Sequence, residues 1–185
     1  MDISLNELET RARKIRWLLL DVDGVLTDGR LYFGNQGEEY KSFNTLDGQG
    51  IKALQKTGVK VGVITGRTSN LVAKRAQDLG IQLLIQGRED KWRALQELLT
   101  QAEIKNEAPK LDEIAFVGDD WPDLGVMTRV GLALTVANAH SSVVERSDWQ
   151  STKRGGEGAV RDICDLIMKA QGTFEKSLAE YLKND

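Results

Sequence analysis

Short apolar segments alternate with segments of helical periodicity along the chain, and this alternation limits the possible folds more than any other feature. The apolar segments predicted as buried strands are residues 15–20, 59–64, 81–85, 114–117 and 132–136. Amphipathic helices are predicted at 3–13, 47–58, 68–79, 89–102, 122–128, 139–146, 157–171 and 173–183. Strands that alternate with helices form right-handed βαβ units around a parallel sheet. The sequence therefore predicts an α/β fold, with a Rossmann-like parallel sheet covered by helices on both faces.

Residues 30–43 depart from this pattern and predict a β-hairpin. Its strands are 31–33 and 39–43, and the glycines of 34–37 supply the turn. Asp47 is predicted to cap the helix that follows, which ends at Gly58.

The gaps between the predicted elements decide the domain organisation. No gap can hold a separate cap domain, which requires at least ~50 residues. We therefore expect one capless domain over 1–185, with the hairpin as a flap over the site and residues 172–185 as an amphipathic tail.

Composition excludes several classes of protein. The single cysteine, Cys164, allows no internal disulfide, and the single histidine, His140, argues against a His-rich zinc site. The net charge of −3 gives no basic face for nucleic acid. No apolar run approaches the ~20 residues of a membrane span, and the first residues do not resemble a signal peptide. We expect a soluble cytoplasmic protein that binds neither nucleic acid nor membrane.

Polar residues follow the predicted strands at the points where each strand ends. They are Asp21 and Asp23, Thr65, Lys91, and the group Asp119, Asp120 and Asp123. Reactive groups of parallel sheets lie beyond the carboxyl ends of the strands, so these residues are predicted to meet. Each motif alone also fits a turn, a helix cap or a solvated lysine.

The acidic group after the fourth strand predicts a cation site. Three carboxylates in five residues repel one another, by roughly 4 kcal/mol for two charges ~4 Å apart at an effective dielectric of ~20. A ligand set made only of oxygens favours Mg²⁺, which takes one or two carboxylates together with waters and substrate phosphate.

The ordered set Asp21-x-Asp23-x-Val25, Thr65, Lys91 and Gly118-Asp119-Asp120-x-x-Asp123 resembles the haloacid dehalogenase superfamily. Four stretches are similar to one family within it, the 3-deoxy-D-manno-octulosonate 8-phosphate (KDO 8-phosphate) phosphatases of lipopolysaccharide synthesis in Gram-negative bacteria. They are residues 21–29, 44–48, 64–67 and 154–161. The resemblance spans nearly the whole chain.

The resemblance implies a phosphatase with an aspartyl-phosphate intermediate. Asp21 is then the nucleophile and Asp23 the general acid and base. Thr65 and Lys91 complete the catalytic set by holding and neutralising the phosphoryl group. The metal ligands are Asp21, the backbone carbonyl of Asp23, and Asp119, around Mg²⁺ or its substitutes Mn²⁺ and Co²⁺. The supporting residues are Asp120 and Asp123, either of which orients Lys91 or a metal-bound water.

The resemblance also implies a set of substrate-binding residues and a homotetramer, in which neighbours help to close each site. The set is Asp23, Asn44, Thr45, Asp47, Gly48, Lys52, Gly66, Arg67, Arg75 and Lys91. Leu46 and Lys52 stand where the family often has arginine. These two departures leave the identity of the sugar acid open, with a phosphatase of a nine-carbon sugar acid as one alternative. Two alternatives of another class are a phospho-accepting signalling domain and a silent regulatory homologue.

Overall fold

The computed structural model describes residues 3–37 and 39–182, and its centre is a six-stranded parallel sheet. The strands of this sheet are β1 (Trp17–Leu20), β4 (Lys60–Ile64), β5 (Leu83–Ile85), β6 (Ile114–Val117), β7 (Leu132–Thr135) and β8 (Trp149–Gln150). Two further strands, β2 (Tyr32–Phe33) and β3 (Glu39–Tyr40), form a separate two-stranded sheet. The order across the sheet is β5-β4-β1-β6-β7-β8. The predicted α/β fold is confirmed.

Helices cover the sheet on both faces, as predicted. They are α1 (Leu5–Arg13), α2 (Thr45–Lys56), α3 (Asn70–Leu79), α4 (Lys91–Ile104), α5 (Trp121–Met127), α6 (Ser141–Val144), α7 (Ala159–Ala170) and α8 (Phe174–Leu182). A 3₁₀ turn, Leu111–Glu113, precedes β6. α3 ends at Gly80 with φ of 70°, as its sequence predicts.

The side chains of β1 show why a continuous apolar segment forms a central strand. Leu18 and Leu20 pack into one hydrophobic cluster, with side chains from α1, α2, α3 and α7. Trp17 and Leu19 pack into the other, with side chains from α4, α5 and α6. Since successive residues of a strand point to opposite faces, a strand that is buried on both faces needs apolar residues throughout.

The prediction that Asp47 caps the second helix is wrong. α2 begins at Thr45, and Asn44 is its N-cap, because the Asn44 side chain accepts the backbone N–H of Leu46. Asp47 lies in the first turn of α2 and is 1% exposed. Its carboxylate turns toward α7 and accepts the backbone N–H of Arg161 at 2.8 Å. Asp47 therefore caps a different helix.

The hairpin forms, but it is shorter than predicted. β2 and β3 pair antiparallel, with Tyr32 opposite Tyr40 and Phe33 opposite Glu39. Gly37 in the turn has φ of 88°, a conformation that favours glycine. Phe33 and Tyr40 are 63% and 60% exposed, so the hairpin carries an unusual amount of apolar surface.

The register of the strands brings their carboxyl ends to one edge of the sheet. Leu20 pairs with Val63 on one side and with Val117 on the other, and Ile64 pairs with Ile85. The residues that follow these positions are the predicted site residues. Within the described chain, no helix has the length and apolar character that crossing a bilayer requires.

Candidate active site

An open cleft of about 580 Å³ lies at this edge of the sheet. Asp21 directly follows β1, Thr65 directly follows β4, and Lys91 is the first residue of α4. Asp119 lies two residues beyond the end of β6. The cleft is lined by Asp21, Asp23, Gly29, Thr65, Gly66, Arg67, Glu89, Lys91, Asp119, Asp120, Pro122 and Asp123. The strand-end residues that the sequence singled out therefore meet in one place.

Lys91 joins two of these carboxylates from a buried position. Its Nζ lies 2.7 Å from Asp21 Oδ1 and 2.6 Å from Asp123 Oδ1, and its side chain is 4% exposed. Burial alone would lower the pKa of Lys91, but the charges of Asp21 and Asp123 raise it above its ordinary value. The ammonium therefore stays charged beside Asp21.

The structure separates the two supporting residues, whose roles the sequence left open. Asp123 holds Lys91 through Oδ1, while its Oδ2 accepts the backbone N–H groups of Asp119 at 3.0 Å and Asp120 at 3.2 Å. Asp120 is exposed and is the N-cap of α5, where its side chain accepts the N–H of Trp121. Asp123 therefore orients Lys91, and Asp120 starts the helix that carries Asp123.

The acidic residues of the cleft fit a cation. Asp21, Asp119 and Asp123 can each place one oxygen so that all three lie within 4.8 Å of one another. Asp119 Oδ1 is buried and has no hydrogen-bond partner among the described residues. Both oxygens of Asp123 are already engaged by Lys91 and two N–H groups, and Lys91 also contacts Asp21 Oδ1. Asp119 and the other oxygen of Asp21 are therefore the candidates to bind an ion. Oxygen-only ligands suit Mg²⁺.

The carboxyl groups of Asp21 and Asp119 both resist ionisation in the metal-free chain. Burial, opposed by Lys91 and reinforced by Asp123, raises the pKa of Asp21 to about 6. Burial together with the charges of Asp21 and Asp123 raises the pKa of Asp119 to about 7. A divalent cation between them would reverse this effect, because it favours the charged form of every ligand.

Gly24 allows the loop after β1 to pass directly beneath the Asp119 carboxylate. Its φ is 99°, and a Cβ at this position would lie 2.0 Å from Asp119 Oδ2. On the other side, a Cβ at Gly155 would lie 1.7 Å from the Gly24 carbonyl oxygen. Glycines thus let the loop that carries Asp21 and Asp23 lie between the acidic group and the 154–161 segment.

The loop after β4 supplies a hydroxyl, backbone amides and a guanidinium. Thr65 is 2% exposed, and its Oγ1 accepts the N–H of Arg67 at 3.4 Å. Gly66 and Arg67 precede α3, so their backbone is not part of the helix. The Arg67 side chain is 46% exposed, with its Nε 3.8 Å from Asp23 Oδ2 and its guanidinium over the ring of Phe33.

The other predicted substrate-binding residues do not line this cleft. They are Asn44, Thr45, Asp47, Gly48, Lys52 and Arg75, which we call the distal group. Arg75 donates to the Asn44 carbonyl at 3.0 Å and passes over Gly48, where a Cβ would lie 2.4 Å from its Nη2. Burial raises the pKa of Asp47, although backbone N–H groups of α7 oppose the effect. Thr45 and Lys52 are exposed.

Sequence reasoning missed two polar residues of the hairpin that reach the cleft. Lys41 Nζ donates to Asp23 Oδ1 at 2.5 Å and lies 3.3 Å from Glu39 Oε1. Glu39 also accepts the Ser69 hydroxyl at 2.9 Å, which lowers the pKa of Glu39. A signal was present, since Glu39 and Lys41 alternate with Tyr40 and so share one face of a strand.

Comparisons with known proteins agree with this geometry. No protein-family model matches the chain. The chain is 46% identical over 168 residues to the 3-deoxy-D-manno-octulosonate 8-phosphate phosphatase KdsC of Salmonella typhi, covering 91% of this chain and 87% of that protein.

Two solved structures are also similar. The Moraxella catarrhalis KDO 8-phosphate phosphatase, in complex with magnesium, phosphate and KDO, superposes with a TM-score of 0.91 at 39% identity and covers 96% of this chain and 99% of its own. The cobalt-bound Haemophilus influenzae phosphatase superposes with a TM-score of 0.86 at 36% identity and covers 94% of this chain and 99% of its own.

Proposed function

The chain belongs to the 3-deoxy-D-manno-octulosonate 8-phosphate phosphatase family of the haloacid dehalogenase superfamily, and we propose that it hydrolyses this substrate to KDO and inorganic phosphate in lipopolysaccharide synthesis. The observation that carries the proposal is the pairing of Asp21 with a buried lysine, beside a carboxylate group suited to a cation. An acid held in this way can act as a nucleophile toward a phosphate monoester.

The reaction takes place in two displacements at phosphorus. A carboxylate oxygen of Asp21 forms a bond to phosphorus while the bond from phosphorus to the sugar oxygen breaks. Asp23 donates its proton to that departing oxygen. Asp23 then takes a proton from water, whose oxygen attacks the aspartyl-phosphate. The bond between phosphorus and Asp21 breaks, and inorganic phosphate leaves.

The cation is held, in this proposal, by the carboxylates of Asp21 and Asp119 and by the backbone carbonyl of Asp23. Mg²⁺ supplies positive charge that offsets the repulsion between the attacking carboxylate and the phosphate dianion. Mn²⁺ and Co²⁺ are expected substitutes. The orphaned oxygen of Asp119 and the raised pKa values of Asp21 and Asp119 support this assignment.

The transferring group is held by residues of three loops. Lys91 provides a fixed positive charge within reach of oxygens that are bound beside Asp21. Thr65 and the backbone amide of Gly66 bind phosphoryl oxygens at the end of β4, where free N–H groups suit an anion. Arg67 extends toward the mouth of the cleft and suits the substrate carboxylate, which a guanidinium can bind through two hydrogen bonds.

Recognition of the sugar acid is shared between subunits of a homotetramer in this proposal. The distal group lies outside the cleft of its own chain, and the hairpin exposes apolar side chains that an interface would cover. A neighbour can therefore bring the exposed members of its distal group, Thr45 and Lys52, to the sugar end of a bound substrate. We place the enzyme in the cytoplasm, because its single cysteine needs no oxidising compartment.

The test is phosphate release from a panel of phosphate monoesters, measured with Mg²⁺ and with a chelator. The panel contains KDO 8-phosphate, a nine-carbon sugar-acid phosphate and simple sugar phosphates. We expect metal-dependent release with KDO 8-phosphate fastest, and none from Asp21→Asn. If phosphate release were fastest from the nine-carbon sugar-acid phosphate instead, the proposed mechanism would be kept and the proposed substrate would change. Leu46, which is 56% exposed and lies in sequence between Thr45 and Asp47 of the distal group, would then be the first residue to examine.

A further inference from the structure

The structure assigns a role to Lys41: we propose that it is a positioning residue that fixes the orientation of the Asp23 carboxylate for proton transfer. The proposal rests on the proposed function, in which Asp23 is the general acid and base. It also makes the hairpin part of the active site of its own chain, rather than only a contact surface between subunits.

The position of Lys41 is unusual for a lysine on a two-stranded hairpin. Its side chain is 2% exposed, whereas the neighbouring Tyr40 is 60% exposed. A buried ammonium costs free energy unless it is paired and hydrogen-bonded. Lys41 has two partners, Asp23 Oδ1 at 2.5 Å and Glu39 Oε1 at 3.3 Å.

Glu39 is the second carboxylate beside the Lys41 ammonium. Its Oε2 accepts the hydroxyl of Ser69 at 2.9 Å, and its Oε1 lies 3.7 Å from Arg67 Nη2. Ser69 and Arg67 belong to the loop after β4, which also carries Thr65. The contacts of Glu39 thus hold the hairpin against the edge of the sheet and determine the position of the Lys41 ammonium.

The two oxygens of Asp23 are therefore not equivalent. Oδ1 receives a hydrogen bond from Lys41, whereas Oδ2 lies 3.8 Å from Arg67 Nε, beyond hydrogen-bond range. A lysine that occupies Oδ1 leaves Oδ2 to carry the transferred proton. Since general acid catalysis requires the donor oxygen to lie within hydrogen-bond reach of its target, fixing this carboxylate directly affects the rate.

The test uses Lys41→Met, which keeps a long apolar stem and removes the ammonium. The substrates are KDO 8-phosphate, a simple primary-alkyl phosphate and p-nitrophenyl phosphate. An alkoxide needs a proton as it leaves, whereas nitrophenolate leaves as a stable anion. We expect kcat/KM to fall by about 10- to 100-fold for both alkyl substrates, part of the ~10²–10⁴ that acid–base catalysis contributes. For p-nitrophenyl phosphate kcat/KM stays within about twofold of wild type.

Two further variants separate positioning from other roles. In the Asp23→Asn background, Lys41→Met should cause no additional loss for alkyl substrates, because a residue that acts through Asp23 has nothing left to act on. Lys74→Met is the matched control. Lys74 is an exposed lysine that pairs with Asp78 on α3, and its removal should leave all three substrates unaffected.

Four outcomes would overturn the proposal. They are an equal loss on all three substrates, a loss confined to KDO 8-phosphate, additive losses in the double variant, and unchanged kinetics. The first would indicate a lysine that only holds the hairpin, and the second a direct contact with the sugar. Failure of the proposed function is distinguishable, because wild-type enzyme would then release no phosphate from KDO 8-phosphate.

Discussion

Gly24 shows how a single missing side chain permits the acidic site. A Cβ there would meet the carboxylate of Asp119, and the φ of 99° also disfavours any other residue. We expect Gly24→Ala to displace Asp119 and to abolish the increase in melting temperature on adding Mg²⁺. The matched control is Gly58→Ala, with φ of 100° and no atom within 4 Å of the added Cβ.

The melting temperature of each variant is measured by thermal unfolding with and without Mg²⁺. Gly58→Ala carries only the backbone strain, of the order of 1 kcal/mol, and should keep the full response to Mg²⁺. If Gly24→Ala also kept that response, the close approach to Asp119 would not matter for the ion.

The carboxyl groups of Asp21 and Asp119 give the metal-free protein a defined pH dependence. Their folded-state pKa values of about 6 and about 7 lie above the ordinary value of 3.8. Their contribution to stability is therefore fully present below about pH 3.8 and is lost as the pH rises through 6 to 7. Mg²⁺ competes with these protons, so its stabilising effect should increase over the same interval.

Melting temperatures measured with saturating Mg²⁺ and with chelator, at about pH 5 and about pH 8, test this sign. At a Mg²⁺ concentration of about 100 times Kd the stabilisation is ~2.7 kcal/mol, or roughly 5–10 °C for a domain of this size. We expect Mg²⁺ to raise the melting temperature by this amount near pH 8 and by much less near pH 5. A shift of equal size at both values would contradict the raised pKa values.

Asp47 links two helices that are far apart in sequence. Its backbone lies in the first turn of α2, and its carboxylate accepts the backbone N–H of Arg161 at the N-terminus of α7. Removing a capping side chain costs about 1–2 kcal/mol, so Asp47→Ala should lower the melting temperature by several degrees. Asp47→Asn keeps an acceptor oxygen and should lose less. Equal melting temperatures for wild type and Asp47→Ala would show that the contact does not stabilise the fold.

Strand β6 and helix α2 show where sequence reasoning succeeds and where it fails. β6 was predicted residue for residue at 114–117, because an apolar segment bounded by polar residues is a local signal. The start of α2 was predicted at the wrong residue, since both Asn44 and Asp47 are of types that cap helices well. The choice between them depends on α7, more than one hundred residues later. β8 was missed because two residues carry no periodicity.

The site follows the same rule. Asp21, Thr65 and Asp119 could be placed together from sequence, since each lies one or two residues beyond a predicted strand of one sheet. Lys91 could be placed near them, because it begins the helix that follows the next strand. The alternation of Glu39 and Lys41 with Tyr40 indicates a shared face, but it could not predict the contact of Lys41 with Asp23, which requires the hairpin to fold back over the loop after β1. Local patterns therefore give the residues at strand ends, whereas residues delivered by a folded-back segment need the structure.

The hairpin connects the chemistry of one chain to the assembly that we propose. Glu39 of β3 and Lys41, which directly follows β3, contact each other and the cleft residues, while Tyr40 between them is 60% exposed. Exposed aromatic residues on a two-stranded hairpin suit burial in an interface, since such a hairpin is marginal alone. We expect light scattering after size exclusion to give about 82 kDa, four times the 20.5 kDa of one chain.

Tyr40→Glu should place a charge in that interface and reduce the measured mass. Leu5→Glu is the control, because Leu5 is 84% exposed on α1, far from the hairpin in sequence, and should leave the mass unchanged. If neighbours supply the distal group, the Tyr40→Glu protein should lose activity toward KDO 8-phosphate much more than toward p-nitrophenyl phosphate, which needs only the cleft. A monomeric wild type, or a dissociated variant with full activity on the sugar acid, would exclude a shared site.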